Sequence, residues 1–177
     1  MAYGLRNRLL YLAQCLVMGM VMRRKRTQMS RPIEEELQRL IDLEAIRDLA
    51  RRYARCVWQS DILATVDLFT EDGEMHTGER PPIVGREDLL RVYGEMVEGY
   101  MLNPFVHSHI VELDGDEATG TCYLDLRLIR DGQSLIGSGY YDDRYVRIDG
   151  EWKFKSRHLT MKYLVKPGDA WDSEEQF

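Results

Sequence analysis

Cysteine is scarce in this sequence, and its spacing excludes two kinds of site. The three cysteines, Cys15, Cys56 and Cys122, form no C-x-x-C pair and do not combine with histidines at the spacing of a structural metal site. Three cysteines also make no complete disulfide framework. We therefore predict no metal, packing roles for Cys56 and Cys122, and a reduced, cytoplasmic setting.

Several catalytic motifs are missing as well. The sequence contains no glycine-rich phosphate loop, no H-E-x-x-H and no G-x-S-x-G. Nucleotide chemistry, zinc-dependent hydrolysis and the Ser-His-Asp route therefore have no support in the sequence.

Acidic residues are absent from the first 28 positions, which hold six of the 24 basic residues and none of the 30 acidic ones. The net charge of −6 for all 177 residues therefore hides a strongly acidic body. Duplex binding depends on Lys and Arg side chains that neutralise phosphates, so this body disfavours a nucleic-acid partner.

An apolar segment at residues 9–22 is followed by four basic residues at 23–26. It is shorter than the ~20 residues that a spanning helix needs. Three interpretations of residues 1–29 stay open: a loosely docked extension, a membrane-surface or oligomer contact made by residues 5–26, and a targeting signal. We expect the function to lie after Met29.

Three helices are predicted after this extension. The first begins near Ser30 and Pro32, which favour a helix start, and its apolar residues recur at helical spacing as far as Val57. Asp61 can cap a short second helix. A third helix covers about residues 86–100, and its predicted inner face carries Leu89, Leu90, Tyr93 and Val97.

Strands follow the helices. Four alternating segments, at about 105–114, 118–130, 134–148 and 151–163, are separated by Asp-Gly turns, which are strong hairpin signals. Helices followed by an antiparallel meander indicate one α+β domain over residues 30–165, in which a curved sheet wraps around the three helices. Residues 166–177 form an irregular tail.

The alternation also predicts which strand side chains face the interior. The predicted inner set is Phe105, His107, His109, Val111, Leu113, Leu124, Leu126, Leu128, Tyr141, Asp143 and Tyr145. Two histidines and a carboxylate therefore share an apolar face. An apolar concavity with a few convergent polar groups is the usual form of a small-molecule site.

Several segments resemble a known family. LEAIRDLARRYARCV, DLFTEDGEMHTG, VGRED, VELDGDEATGTCYLDLR and GYYDDRYVRIDGEWKF are similar to the SnoaL-like branch of the nuclear transport factor 2-like superfamily, over about residues 33–165. The resemblance implies a cone-shaped barrel with a deep apolar pocket. It also implies proton transfer on cyclic or polycyclic substrates without a metal or cofactor, as in ketosteroid isomerase and scytalone dehydratase, on a fold that also serves non-catalytic binding.

The dehydratase-like members of this family carry a Tyr and an Asp five residues apart on the first helix, and a His on the first long strand. The tyrosine matches Tyr53, whereas Trp58 stands at the aspartate position. The histidine position falls near Pro104 or Phe105, and the nearest imidazole is His107.

The predicted catalytic residues are His107, His109, Tyr53 and Asp143. Imidazoles suit proton transfer near neutral pH, Tyr53 would donate a hydrogen bond to a substrate oxygen, and Asp143 would orient His107. Each also has a structural interpretation. For the histidines and Tyr53 it is packing or hydrogen bonding, and for Asp143 it is a salt bridge to an arginine such as Arg144 or Arg147.

The predicted substrate-binding residues are Trp58, Phe105, Tyr141, Tyr145, Leu124 and Leu126. Weaker candidates are Arg157, His158 and His76.

Two functions from different classes stay open. The first is a lyase or isomerase, similar to a dehydratase, that moves protons on a small hydrophobic molecule. The second is a non-catalytic binding or scaffolding domain of the same fold, with Trp58 at the pocket mouth. In either case the resemblance implies a homo-oligomer, a dimer or trimer, in which Tyr123, Asp125 and Arg127 lie on the outer sheet face.

Overall fold

The computed structural model of the chain describes residues 32–78 and 81–171. The chain divides into two compact units, residues 1–39 and 40–177. In the first unit the described residues begin a helix whose first turn carries Glu34, Glu35 and Glu36, as the helix dipole favours. The roles predicted for residues 5–26 lie outside the described residues. Within the described ranges, no helix is long and apolar enough to cross a membrane.

The described part of the chain contains the three predicted helices: α1 (Ile33–Trp58), α2 (Ile62–Val66) and α3 (Arg86–Gly99). Asp61 caps α2, because its side chain accepts a hydrogen bond from the Ala64 backbone N–H at 3.0 Å. The helical spacing of apolar residues predicts a buried stripe that includes Leu40 and Ile41, but these two side chains are exposed and the stripe begins at Leu43. Helix α1 therefore contributes to the core with its C-terminal half.

Six strands form one curved sheet in the order β2-β1-β6-β5-β4-β3. Their bounds are β1 (Phe69–Thr77), β2 (Ile83–Val84), β3 (Tyr100–Asp114), β4 (Glu117–Arg130), β5 (Gln133–Ile148) and β6 (Glu151–Val165). The predicted meander of β3 to β6 is confirmed, and β1 pairs with β6 in parallel. The sheet stays open between β2 and β3 and so is not a closed barrel.

The Asp-Gly turns act as predicted. Asp131 and Gly132 have φ of 52° and 74°, and Asp149 and Gly150 have φ of 52° and 84°. Two consecutive residues with positive φ are characteristic of the type I′ hairpin turn. Strand β3 begins earlier than predicted and includes Pro104, which an edge strand tolerates because one side of its backbone needs no partner.

A β-bulge in β3 decides which histidine faces the interior. The pairing of β3 with β4 shifts register between His107 and Ile110, and Ser108 within the shift has a φ of 47°. Before the bulge Phe105 and His107 are exposed, and after it His109 is partly buried. Because one extra residue reverses the faces of a strand, the predicted inward positions of Phe105 and His107 are wrong.

A second bulge lies in β6. Phe154 and Ser156 pair with two adjacent residues of β5, which leaves Lys155 as the extra residue. Strict alternation from Phe154 would turn Ser156 inward, whereas the bulge turns Arg157 inward and buries it completely.

The interior of the second unit is apolar apart from a few buried polar side chains. One of them, Asp42 of α1, accepts hydrogen bonds from Arg147 Nη1 at 2.9 Å and from Trp152 Nε1 at 2.9 Å. Arg147 also donates its Nε to Asp116 at 2.7 Å. These bonds join α1 to the hairpin of β5 and β6.

Candidate functional site

A buried ion pair lies at the centre of the sheet. Asp143 of β5 and Arg157 of β6 stand directly opposite each other, and both side chains are 0% exposed. Arg157 Nε donates to Oδ1 at 2.9 Å and Nη2 donates to Oδ2 at 2.9 Å, a bidentate arrangement. Burial opposes the charge on Arg157, but the charge and hydrogen bonds of Asp143 outweigh it and raise the pKa of the guanidinium. The predicted structural salt bridge of Asp143 to an arginine is confirmed, but its partner is Arg157 and not one of the two examples, Arg144 and Arg147.

Three aromatic rings surround the Arg157 guanidinium. Its Cζ lies 3.9 Å from the ring centre of Tyr141 and 4.2 Å from those of Tyr53 and Phe154. The third guanidinium nitrogen, Nη1, is buried and has no hydrogen-bond acceptor among the described residues. The aromatic ring faces therefore stabilise the positive charge on the part of the guanidinium that does not bond to Asp143.

The ion pair extends through Tyr145 to His109. The Tyr145 hydroxyl donates to Asp143 Oδ2 at 2.8 Å, and His109 Nε2 lies 2.9 Å from the same hydroxyl. Because Tyr145 has one proton and donates it to the carboxylate, it accepts a hydrogen bond from His109, whose proton is thereby assigned to Nε2. We call Arg157, Asp143, Tyr145 and His109 the buried polar cluster.

Burial lowers the pKa of His109 to about 4, with the positive charge of Arg157 acting in the same direction and the negative charge of Asp143 against it. The imidazole is therefore neutral at neutral pH. Burial, followed by the charge of Asp143, raises the pKa of Tyr145 well above its usual value. The buried polar cluster thus holds one cation, one anion and two neutral groups.

Gly120 of β4 makes room for the contact between His109 and Tyr145. A Cβ atom on Gly120 would lie 2.6 Å from the Ile110 carbonyl oxygen, 3.3 Å from His109 Nε2 and 3.4 Å from Tyr145 Cε2. The first distance is a clash with backbone, which cannot move aside as a side chain can. A glycine here therefore lets the bulged part of β3 approach the sheet closely.

Two tyrosines lie beside the buried polar cluster, and we call them the tyrosine pair. Tyr53 of α1 and Tyr93 of α3 are buried, and their hydroxyl oxygens are 2.8 Å apart. Burial raises the pKa of Tyr53, against the effect of Arg157, and raises that of Tyr93 further. Both hydroxyls therefore stay protonated, and one of the two donates to the other.

A cavity of about 1270 Å³, which we call the wide cavity, opens beside Tyr93. Its walls come from β1, β2, α3, the start of β3, the end of β4 and the second half of β6. The apolar lining includes Met75, Ile83, Met96, Leu102, Leu126, Leu128, Leu159, Met161 and Leu164. The charged or titratable lining residues besides Tyr93 are Glu95, Tyr100, Arg130, His158 and Lys162.

His158 brings an imidazole to the wide cavity. Its ring stacks on that of His76, with ring centres 5.3 Å apart and planes inclined by 16°. His76 Nε2 in turn lies 2.9 Å from Glu74 Oε2. Within residues 32–78 and 81–171, no group of three or more His, Cys, Asp or Glu side chains is placed to hold a metal ion.

The model of the SnoaL-like domain family matches residues 38–158, which is more than half of the chain. The chain belongs to the SnoaL-like family. This confirms the resemblance seen in the sequence, and with it the placement in the nuclear transport factor 2-like superfamily.

Solved structures similar to this SnoaL-like chain agree with the fold. A variant of Rv3472 of Mycobacterium tuberculosis, a protein of unknown function, is 29% identical with a TM-score of 0.67, and the match covers 76% of this chain and 78% of that one. A putative scytalone dehydratase of Novosphingobium aromaticivorans is 20% identical, with a TM-score of 0.68 and coverage of 72% and 89%. A type 2 hexachlorocyclohexane dehydrochlorinase is 20% identical, with a TM-score of 0.70 and coverage of 80% and 99%.

The structure separates the predicted site residues of this SnoaL-like chain into three groups. Tyr53, His109 and Asp143 come together in the interior, and Leu124, Tyr141 and Tyr145 are buried around them. Leu126 lines the wide cavity, whereas the other nine predicted catalytic and substrate-binding residues do not. Trp58, Phe105 and His107 are exposed. The catalytic and binding roles of all these residues stay predictions.

The exposed group lies outside the wide cavity. Trp58 packs edge-on against Phe105 with ring centres 5.4 Å apart and does not line the wide cavity, so its place at a pocket mouth stays a prediction. His107 stacks on Tyr123, 6.5 Å between ring centres, and does not contact Asp143. Tyr123, Asp125 and Arg127 are exposed as predicted, and the homo-oligomer built on them stays a prediction.

The sequence predicts no leading role for two residues of the site, Tyr93 and Arg157. The helical spacing predicts that Tyr93 faces inward, but no pattern in the sequence links it to Tyr53. Arg157 was hidden by the bulge at Lys155, which breaks strict alternation. The sequence nevertheless contains an indication of Arg157, because a carboxylate that faces inward at Asp143 requires a buried basic partner.

Proposed function

We propose that this protein binds a hydrophobic cyclic or polycyclic molecule in the wide cavity and acts on it by proton transfer, as a lyase or isomerase. One observation supports this above all. Tyr93 both lines the cavity and shares a hydrogen bond of 2.8 Å with a second buried tyrosine. An apolar cavity with a positioned donor suits a ligand with a single oxygen function.

The tyrosine pair supplies the donor. If Tyr53 donates to the Tyr93 oxygen, the proton of Tyr93 is free to bond a ligand oxygen. A carbonyl that becomes an enolate, or a hydroxyl that leaves, gains negative charge in the transition state, and a preorganised donor in an apolar site stabilises that charge. Tyr93 would therefore act on the oxygen of the ligand.

His158 is the proposed proton acceptor. It is an imidazole in the cavity lining, and its ring is held by stacking on His76, which Glu74 contacts. Imidazole accepts and returns protons near neutral pH. In this scheme His158 takes a proton from carbon next to a carbonyl, the electron pair moves to the carbonyl oxygen, and Tyr93 stabilises the enolate.

Hydrogen exchange of 2-tetralone in D2O tests the catalytic step, because it requires removal of a proton next to the carbonyl. We expect the purified protein to accelerate deuterium incorporation measured by NMR. Tyr93→Phe and His158→Gln should each reduce the acceleration roughly 100-fold. His107→Gln, a histidine on the outer face, is the matched control and should leave it unchanged. Acceleration that survives both cavity variants would contradict these roles.

Fluorescence titration with naphthalene and 2-naphthol tests binding separately. Both rings fit the same apolar lining, and only 2-naphthol has an oxygen. We expect 2-naphthol to bind about fivefold more tightly, which corresponds to a net hydrogen bond of ~1 kcal/mol. The preference should disappear in Tyr93→Phe, while naphthalene binding persists.

Non-catalytic binding in the same cavity is the second candidate. It is favoured by the position of His109 and Asp143, which do not line the wide cavity, and by Trp58 at the aspartate position of the dehydratase-like relatives. This candidate predicts that naphthalene and 2-naphthol bind whereas 2-tetralone exchange stays at the uncatalysed rate.

A further inference from the structure

Arg157 is completely buried and is held by both hydrogen bonds and aromatic rings. Two of its nitrogens donate to Asp143, each at 2.9 Å, and three rings lie within 4.2 Å of its Cζ. Asp143 is fixed in turn by Tyr145, which donates to it at 2.8 Å. A planar guanidinium with its bidentate partner and its stacking faces all in place has one orientation.

The ring of Tyr53 is one of those faces, so the same packing fixes Tyr53. Its ring centre lies 4.2 Å from Arg157 Cζ, and it also makes edge contacts with Phe69, Tyr141 and Phe154 at 6.2, 6.0 and 5.8 Å. Tyr53 therefore has little freedom to move away from Tyr93.

The charge of Arg157 also biases the direction of the hydrogen bond in the tyrosine pair. A cation beside Tyr53 stabilises negative charge on its oxygen and so strengthens Tyr53 as a donor. The guanidinium lies 4.2 Å from the Tyr53 ring centre and lowers the pKa of Tyr53 against the effect of burial, whereas burial and the neighbouring Tyr53 hold the pKa of Tyr93 well above its usual value. Tyr53 is thus the better donor of the two, and Tyr93 the better acceptor.

We propose that Arg157 is a positioning residue of the wide cavity, which holds Tyr53 as the donor to Tyr93 and thereby directs the proton of Tyr93 towards a ligand oxygen. This inference rests on the proposed function, because it assigns to Arg157 an effect exerted through Tyr93. Arg157 does not line the wide cavity, and it acts through the tyrosine pair alone.

The double variant Arg157→Met/Asp143→Asn tests this role without leaving an unpaired buried charge. Replacing a buried ion pair by neutral groups of similar size is often close to neutral for stability, whereas removing one partner is not. The matched control is Lys155→Met/Asp72→Asn, which removes an exposed ion pair two residues away on the same strand. Circular dichroism and thermal unfolding establish that each variant folds.

The first readout needs no ligand. Tyrosine labelled with ¹³C at Cζ gives one NMR signal per residue, and Tyr53→Phe and Tyr93→Phe assign the two signals of the tyrosine pair. Because the Cζ shift reports the hydrogen bonding of the hydroxyl, we expect both signals to move in the Arg157→Met/Asp143→Asn variant and to stay in place in the control. Signals that do not move in the folded double variant would overturn the inference.

The second readout is the affinity ratio of 2-naphthol to naphthalene. We expect the double variant to lose the preference for 2-naphthol, about fivefold in the native protein, while naphthalene binds as before. A retained preference would overturn the inference. Failure of the proposed function has a different signature, since the native protein would then show no binding or no preference while the NMR signals still respond to the variant.

Arg157→Lys provides the same test should the double variant not fold. Lysine keeps the charge beside Tyr53 but cannot form the bidentate contact or the planar stack. We expect an intermediate displacement of the two NMR signals and a partial loss of the 2-naphthol preference. Unchanged values of both would overturn the positioning role.

Discussion

The buried polar cluster and the wide cavity lie side by side in the second unit and differ in how they treat charge. The cluster closes a cation and an anion completely away from water, and each of its groups has a partner within 2.9 Å. The cavity is apolar inside and keeps its charged side chains among the lining residues that reach solvent. From this difference we expect the buried polar cluster to contribute mainly to the stability of the fold and the wide cavity to ligand binding.

The largest effect should come from Arg157→Met alone. It leaves the Asp143 carboxylate buried without its cation, and breaking one partner of a buried pair costs about 3–5 kcal/mol. Urea unfolding should show this loss in the free energy of unfolding. Lys155→Met, which breaks an exposed pair on the same strand, should cost about 0–1 kcal/mol. Equal losses of unfolding free energy in the two variants would mean that the buried ion pair stabilises the protein no more than the exposed one.

Tyr145→Phe should have the next largest effect. The change removes the donor to Asp143 and the acceptor for His109 with almost no change of shape, so we expect a loss of about 2 kcal/mol. Naphthalene binding should not change, because Tyr145 does not line the wide cavity. The control is Tyr123→Phe, which changes an exposed tyrosine of β4. This variant should unfold at the same urea concentration as the native protein.

A smaller effect should appear as a pH dependence that belongs to His109. An unfolded histidine takes up its proton near pH 6.5, whereas folded His109 does so only near pH 4. Between these values the unfolded state binds more protons, so the stabilisation is complete above about pH 6.5 and is lost as the pH falls towards 4. Screening by solvent at this partly buried side chain reduces the loss to about 1 kcal/mol.

His109→Gln should remove this contribution to the pH dependence, measured by urea unfolding between the two pH values. His107→Gln is the matched control from the other side of the bulge and should keep it. The opposite result, with the pH dependence lost in His107→Gln, would assign the inner face of β3 to His107 instead of His109.

The smallest effect on stability is expected at the cavity wall. Met96→Trp adds bulk to a partly buried side chain that faces the wide cavity, so it should change the free energy of unfolding by no more than about 0.5 kcal/mol. Naphthalene should bind about tenfold more weakly, because the indole occupies its space. If Met96→Trp lost much stability but bound naphthalene as before, this wall of the cavity would serve stability and not ligand binding.

Much of this fold could be predicted because local signals agreed with each other. The three Asp-Gly turns, the cap at Asp61 and the alternation in β4 and β5 all act on residues close in sequence, and all are confirmed. The same alternation correctly turned Leu124, Tyr141 and Asp143 inward.

The site was predicted less well, for one physical reason. Each bulge adds a single residue and has no distinctive composition, since Ser108 and Lys155 are ordinary strand-compatible residues. Each nevertheless reverses the face of everything that follows it. Both His107 and His109 were predicted to face inward, and the bulge at Ser108 leaves only His109 there. The bulge at Lys155 turns Arg157 inward in the same way. The contact between Tyr53 and Tyr93 joins two helices, and no local pattern encodes how these helices pack together.

Strand β3 has a consequence for self-association. It is the terminal strand of the sheet and 15 residues long, and a long uniform edge of this kind offers its backbone to another chain. Pro104 removes one donor from the ladder, and the bulge at Ser108 twists the edge away from a straight template. The irregularity that brings His109 to Tyr145 therefore also protects the protein against pairing edge to edge with its own copies.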